Sequence, residues 1–259
     1  MSVSAQATTL EGARAPMRDH AGVGEHMQAT VRDAALVQDP FCHIYMEGFF
    51  PSSLYLEILR NLPAKELYEA LNLRKWVRAD GTSTRDQFYL STENIAKLPP
   101  TGRALWASIV EGIIDGGLKR TIFAKLAPDI AARFGVPVEQ VPDLDCVYDI
   151  MLVRDTEDYR IKPHPDGLNK LVTLQLYLPE DESQIELGTS LFVRHRGLLG
   201  SRFEEVKRFE FKPNSAYAFA VSESPQRTSW HGRDRLTGFT GVRNTMMILF
   251  QRKSEYRYQ

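Results

Sequence analysis

Cysteine is nearly missing from this chain: two in 259 residues, Cys42 and Cys146, and neither belongs to a CxxC pair. A disulfide framework and a cysteine-built zinc site are therefore set aside, and two unpaired thiols fit a reducing, cytoplasmic setting. Net charge is also nearly missing. The 32 Lys and Arg against 33 Asp and Glu leave −1, which gives no electrostatic case for nucleic acid or an anionic membrane as partner. The local basic runs "LRKWVR" (73–78) and "RHRGLLGSR" (194–202) read as solvated faces. No uninterrupted apolar run reaches ~18 residues and no apolar signal core opens the chain, so a soluble intracellular protein is expected. Residues 1–40 contain no Phe, Tyr or Trp. With little to bury, residues 1–39 read as a flexible tail with room for a short helix over 26–37.

What is present belongs to an ordinary globular protein, 43% apolar and 25% charged. An aromatic-rich chain begins at Phe41, and residues 40–259 read as a single domain. "DPFCHIYMEGFF" reads as a strand. "PSSLYLEILRNLP" reads as a helix capped by Ser52 or Ser53 and closed by Pro63. Helical spacing then covers much of 102–134, with breaks near Gly116-Gly117 and Pro128, so helical support is expected over 51–135. From Cys146 the period shortens. "CVYDIMLVRD", "DYRIKPH", "KLVTLQLYLP", "GTSLFVRH", "VKRFEFKP", "SAYAFAVSES", "QRTSWHG" and "VRNTMMILFQRK" are eight short strand-like runs separated by turn chemistry. They predict a mainly β fold with flanking α-helices, a jelly roll or small barrel over 146–252 with the helices on one face.

One constellation in those strands carries chemistry. His164 and Asp166 flank Pro165 just before "KLVTLQLYLP", and on an extended backbone residues i and i+2 share a face. A second histidine, His231, ends the seventh run, and Arg243 opens the last strand twelve residues later. Two imidazoles and one carboxylate on a rigid sheet make a facial triad, which suits non-haem Fe(II) and leaves coordination positions open. An arginine nearby offers a fork for a carboxylate.

This pattern resembles the Fe(II)- and 2-oxoglutarate-dependent dioxygenases, closest to the prolyl-hydroxylase-like branch of the double-stranded β-helix oxygenases. The resemblance covers about residues 146–252. It implies a double-stranded β-helix core, His164, Asp166 and His231 as iron ligands, and Arg243 as partner of the distal 2-oxoglutarate carboxylate. It also implies Fe(II), 2-oxoglutarate and O2 as cofactor and cosubstrates, with succinate and CO2 released as a C–H bond is hydroxylated. Halogenating relatives carry a small residue where Asp166 stands, so hydroxylation is the expected outcome. The family gap between the second histidine and the arginine is nearer ten residues than twelve, and Arg233 and Arg235 compete with Arg243 for the role.

On the strand after the triad, Thr173, Gln175 and Tyr177 share one face by parity. In relatives this polar set looks into the barrel and helps hold 2-oxoglutarate, with Tyr177 a candidate for a hydrogen bond to its distal carboxylate. The other reading of Tyr177 is a packed ring whose hydroxyl is satisfied elsewhere. The same parity puts Arg160 and Lys162 on the face of His164, and Tyr159 and Ile161 on the other. The two cations then either receive an anionic small-molecule substrate or form a solvated strand edge. Trp76 and Trp230 read as core or as pocket walls, and Trp106 as core. Two rivals stay open: a cupin-like hydrolase or isomerase using Zn or Mn on the same residues, and a jelly-roll module that binds a ligand without catalysis.

Overall fold

The computed structural model describes residues 22–197, 200–224 and 227–253. Helix α1 (Val23–Asp33) precedes strand β1 (His43–Glu47) and helix α2 (Ser52–Arg60). Two strands absent from the sequence-based expectation follow, β2 (Glu69–Ala70) and β3 (Arg85–Tyr89). Helices α3 (Thr92–Ile95), α4 (Pro100–Ile114), α5 (Leu118–Lys125) and α6 (Ala127–Phe134) complete the helical half. The expected breaks occur: Gly117 takes the left-handed conformation ahead of α5, and Pro128 sits in the first turn of α6, where no N–H is needed. Ser52 and Ser53 do not cap α2, whose N-cap is Pro51. The packed body begins ahead of the boundary expected near residue 40, because Val23, Met27 and Val31 of α1 are buried in the main core. The rest of the expected tail, residues 1–21, lies outside the described residues.

Seven more strands build the β half: β4 (Val147–Asp155), β5 (Ile161–His164), β6 (Lys170–Tyr177), β7 (Ser190–Gly197), β8 (Gly200–Arg208), β9 (Ser215–Ala220) and β10 (His231–Arg233). An eighth, β11 (Arg243–Gln251), ends the sequence of elements. They form two antiparallel sheets, of order β1-β9-β6-β11-β4-β3-β2 and β5-β10-β7-β8. This is the double-stranded β-helix expected, with helices on one face. One strand is displaced: "VKRFEFKP" was expected as the fifth run, but β8 stops at Arg208 and pairs along its length with β7. Phe209 and Phe211 then leave the strand to join a buried aromatic cluster.

Alternation along the large sheet separates its two faces. Leu174 and Leu176 of β6, Ile150 and Leu152 of β4, and Met246, Ile248 and Phe250 of β11 are buried against the helices, with Trp106 of α4 and Phe123 of α5. Trp106 is fully buried and its indole N–H reaches the Asn61 carbonyl, so truncation to Ala would cost about 3–5 kcal/mol. The opposite face carries Thr173, Gln175 and Tyr177, Asp155 and Met151, Arg243 and Met247, and it looks toward the smaller sheet. Among the described residues, no helix is long and apolar enough to cross a membrane.

Candidate metal centre

His164 ends β5 and His231 begins β10, and the two residues are cross-strand partners. Their ring centroids lie 4.4 Å apart. Asp166 follows two residues later in the turn toward β6. One ligand atom from each of the three lies within 4.8 Å of the other two. Each histidine has its Nδ1 against a backbone carbonyl two residues upstream, His164 on Lys162 at 3.0 Å and His231 on Ser229 at 2.9 Å. A carbonyl only accepts, so Nδ1 carries the proton and Nε2 keeps its lone pair. His231 Nε2 stands 3.9 Å from Asp166 Oδ2, too far for a hydrogen bond.

The charge states suit metal binding. Burial and then the neighbouring His231 push His164 down to about 4, and burial also lowers His231, so both imidazoles are neutral at pH 7. Burial opposes ionisation of Asp166, but Lys170 and His231 outweigh it, together with hydrogen bonds from Lys170 and Thr173. They hold this carboxyl well below the usual carboxylate range. Lys170 Nζ donates to Oδ1 and Thr173 Oγ1 to Oδ2, each at 2.6 Å. Two neutral imidazole nitrogens and one oriented carboxylate fit a divalent transition metal that prefers mixed nitrogen and oxygen ligands.

The triad opens into a cavity of about 370 Å³ between the sheets. The sheet register lays out its floor in rows. Arg85, Asp155 and Arg243 are cross-strand neighbours on β3, β4 and β11. Asp155 is fully buried and receives Arg85 Nε at 2.7 Å and Arg243 Nη1 at 2.9 Å. Farther along, Met151, Met247, Val153 and Leu249 form an apolar floor. Trp76 and Tyr159 wall the cavity, with Lys75 Nζ 4.2 Å from the Trp76 ring and the Arg85 guanidinium 4.3 Å from the Tyr159 ring.

Arg243 lines the cavity and is 1% exposed, held between Tyr177 and Phe211, whose ring centroids are 5.3 and 4.6 Å from its guanidinium carbon. Its Nε donates to the Leu187 carbonyl at 2.6 Å and its Nη1 to Asp155, while Nη2 has no partner. The free fork anticipated at Arg243 is thus two-thirds engaged by the protein itself. Arg233, two residues after His231, also lines the cavity and is 5% exposed. Arg235 is exposed and reaches Asp158 instead, outside the cavity. The long gap before Arg243 is used by Leu236, which folds back to pack with Trp76 and Tyr159.

On the polar face of β6, Thr173 and Gln175 line the cavity and Tyr177 does not. Thr173 orients Asp166, and Gln175 bridges Thr245 and the Tyr217 hydroxyl, at 3.0 and 2.5 Å. The Tyr177 hydroxyl accepts the Thr189 N–H at 2.9 Å, and its ring lies in the aromatic cluster behind the cavity. Tyr217 lines the cavity instead.

Parity failed on β5. Tyr159 and Ile161 line the cavity with His164, whereas Arg160 and Lys162 are exposed. The ladder with β10 slips between His231 and Arg233, so that His231 faces His164 but Arg233 faces Ile161. The extra residue lies on β5, three residues against two of β10, and it reverses the side chains of β5 ahead of it. Gly232 permits the crossing, because a Cβ there would stand 2.8 Å from the Ile161 carbonyl oxygen. Trp76 proves to be a cavity wall, while Trp230 packs on Phe203. Arg85, Asp155, Lys170 and Tyr217 were not anticipated. Hydrophobic periodicity carries no signal for charges buried on the inner face of a sheet.

No protein-family model matches the chain, and no curated protein matches it in sequence. Solved structures do resemble it. A Pseudomonas putida prolyl-4-hydroxylase aligns over 88% of this chain and 99% of its own, at 14% identity and a TM-score of 0.51. The fold is that of the Fe(II)/2-oxoglutarate oxygenases. A Trichoplax adhaerens prolyl hydroxylase, in complex with a hypoxia-inducible-factor oxygen-degradation-domain peptide fragment, aligns over 90% of both chains at 11% identity and a TM-score of 0.51. JOX2 in complex with 2-oxoglutarate, Fe and JA aligns over 84% of this chain and 69% of its own, at 14% identity and a TM-score of 0.53.

Proposed function

We propose that this protein is an Fe(II)- and 2-oxoglutarate-dependent dioxygenase. It hydroxylates an unactivated C–H bond of a small molecule, and succinate and CO2 leave as coproducts. The chain from Val23 onward acts as one oxygenase domain. The observation that carries the reading is a juxtaposition in one cavity: a His164, Asp166, His231 set with both Nε2 atoms unprotonated, and a buried guanidinium with an unpartnered nitrogen. When bound, iron and 2-oxoglutarate supply the O2-dependent oxidation. The protein supplies orientation and exclusion of water. His164, Asp166 and His231 hold the metal, Thr173 and Lys170 fix the Asp166 carboxylate, and Arg243 offers Nη2 to the distal carboxylate.

The remaining cavity favours a small, amphipathic, anionic substrate. Its volume falls at the small end of the ~300–1,000 Å³ of ligand pockets. The floor of Met151, Met247 and Leu249 accepts an apolar body, and Lys75 and Arg85 at the Trp76 wall accept an anionic group. The test is succinate formation across a panel of carboxylated and uncharged metabolites and of peptides. The reading expects stimulation by one class of small acid. Turnover of a substrate with zinc or manganese bound and no 2-oxoglutarate consumed would favour the cupin-like hydrolase or isomerase instead. Stoichiometric ligand binding with no transition metal bound would favour the non-catalytic module.

A further inference from the structure

Arg243 has one unpartnered nitrogen, and a carboxylate has two oxygens. The donor that completes the pair is beside it. Arg233 Nη1 donates to the Gly188 carbonyl at 3.0 Å, and Arg243 Nε donates to the carbonyl of the preceding residue, Leu187. Consecutive carbonyls therefore anchor the two guanidinia, and both arginines line the same cavity. Arg233 Nε, like Arg243 Nη2, is buried and has no hydrogen-bond partner. Among the described residues, the Gly188 carbonyl is the one hydrogen-bond acceptor on Arg233. Like cations are placed together out of water only where an anion compensates them.

Position adds to charge. Arg233 shares the face of His231 two residues along an extended strand, ~7 Å at ~3.4 Å per residue. That is the length scale of a five-carbon dicarboxylate reaching from the metal ligands to the arginines.

We propose that the distal carboxylate of 2-oxoglutarate is held by two arginines, Arg233 Nε on one oxygen and Arg243 Nη2 on the other. This rests on the oxygenase reading above. Arg243 is turned by Asp155 and Leu187, so that it gives the cosubstrate one nitrogen instead of a fork. Arg233 makes the site specific for 2-oxo acids that carry a second carboxylate.

The experiment compares wild type, Arg233→Met and Arg233→Lys as full-length protein. Glutarate and 2-oxoglutarate binding to the metal-free protein is measured by calorimetry, and pyruvate binding to the Mn(II)-loaded protein serves as control. Arg233→Met is expected to weaken both dicarboxylates on the order of 10- to 100-fold, ~1.4 to ~2.8 kcal/mol, and to leave pyruvate unchanged, since pyruvate lacks the distal carboxylate. Arg233→Lys should recover part of the loss, because it keeps the charge but not the planar donor. Ligand-free Arg233→Met should melt no lower than wild type, having lost an uncompensated buried cation, and its melting should no longer respond to glutarate. Should Arg233→Met not fold, the lysine variant still decides: an unchanged dicarboxylate affinity there overturns the clamp. Wild-type affinity in Arg233→Met, or an equal loss for pyruvate, overturns it as well. Wild-type protein that binds neither dicarboxylate overturns the oxygenase reading itself.

Discussion

Thr173 Oγ1 donates a 2.6 Å hydrogen bond to Asp166 Oδ2, the carboxylate oxygen nearer His231. The donor stands on the rigid inner face of β6, paired with Leu249 on one side and Phe219 on the other. The acceptor stands in the turn before that strand. The sheet thereby sets the rotamer of a ligand that the turn alone would leave free. Thr173→Val keeps the shape and removes the donor. Because outer contacts of this kind tune metal sites, the variant should bind Fe(II) or Mn(II) about 10- to 100-fold more weakly while staying folded. Anaerobic competition against a chromophoric chelator measures it. Unchanged affinity would mean that Lys170 alone orients the carboxylate.

Among the described residues, Asp155 is the one anion paired with both Arg85 and Arg243, and all three groups are buried. Removing its charge leaves two guanidinia unpaired beside Arg233. Asp155→Asn should therefore lower unfolding stability by about 3–5 kcal/mol in urea. Added glutarate should restore a larger share of stability in the variant than it adds to wild type. A loss under about 1 kcal/mol would show that the row is not a coupled unit.

Much of this site is legible in the sequence, for a definite reason. His164, Asp166 and His231 stand at strand ends, where turn chemistry and residue type mark them. Thr173, Gln175 and Tyr177 obey parity because β6 pairs on both sides without a slip over that stretch. Parity misplaces Tyr159 and Arg160 because β5 carries one extra residue between Ile161 and His164 relative to β10, and only the pairing with β10 reveals it. β3, "RDQFY", has no apolar alternation of its own, and it is a strand because β4 offers it an edge. β8 escapes for a related reason: most of its residues are exposed, so no period marks them. Asp155 ends an apolar run, and nothing in its neighbours says that two arginines from distant strands will meet it.

Three histidines, His43 and His231 buried and His164 half-buried, make stability depend on pH. His43, His164 and His231 all lie below the ordinary value of 6.5, mainly through burial, His164 at about 4. A histidine with a depressed folded pKa binds fewer protons folded than unfolded between those values, so stability rises with pH there. The metal-free protein should be most stable above ~6.5 and lose stability as pH falls below it, by up to ~1.4 kcal/mol per pH unit per histidine, with the His164 share continuing down to about 4. The Asp166 contribution persists through this window, because its folded pKa lies below its unfolded one. His43 packs edge-on to Phe41 and Phe209, and its Nε2 has no partner. His43→Phe should therefore flatten the slope by one histidine's share. Urea midpoints from pH 7.5 to 4.5 with chelator present test this, and a flat profile contradicts it.

The most direct test of the account is an anaerobic titration of Fe(II) and then 2-oxoglutarate, followed in the visible spectrum. The account predicts one Fe(II) per chain. It also predicts a weak charge-transfer band that appears with 2-oxoglutarate, saturates at one equivalent and is missing in Asp166→Ala. A colourless protein that holds zinc tightly, gives no band with 2-oxoglutarate and still turns over a substrate would contradict it.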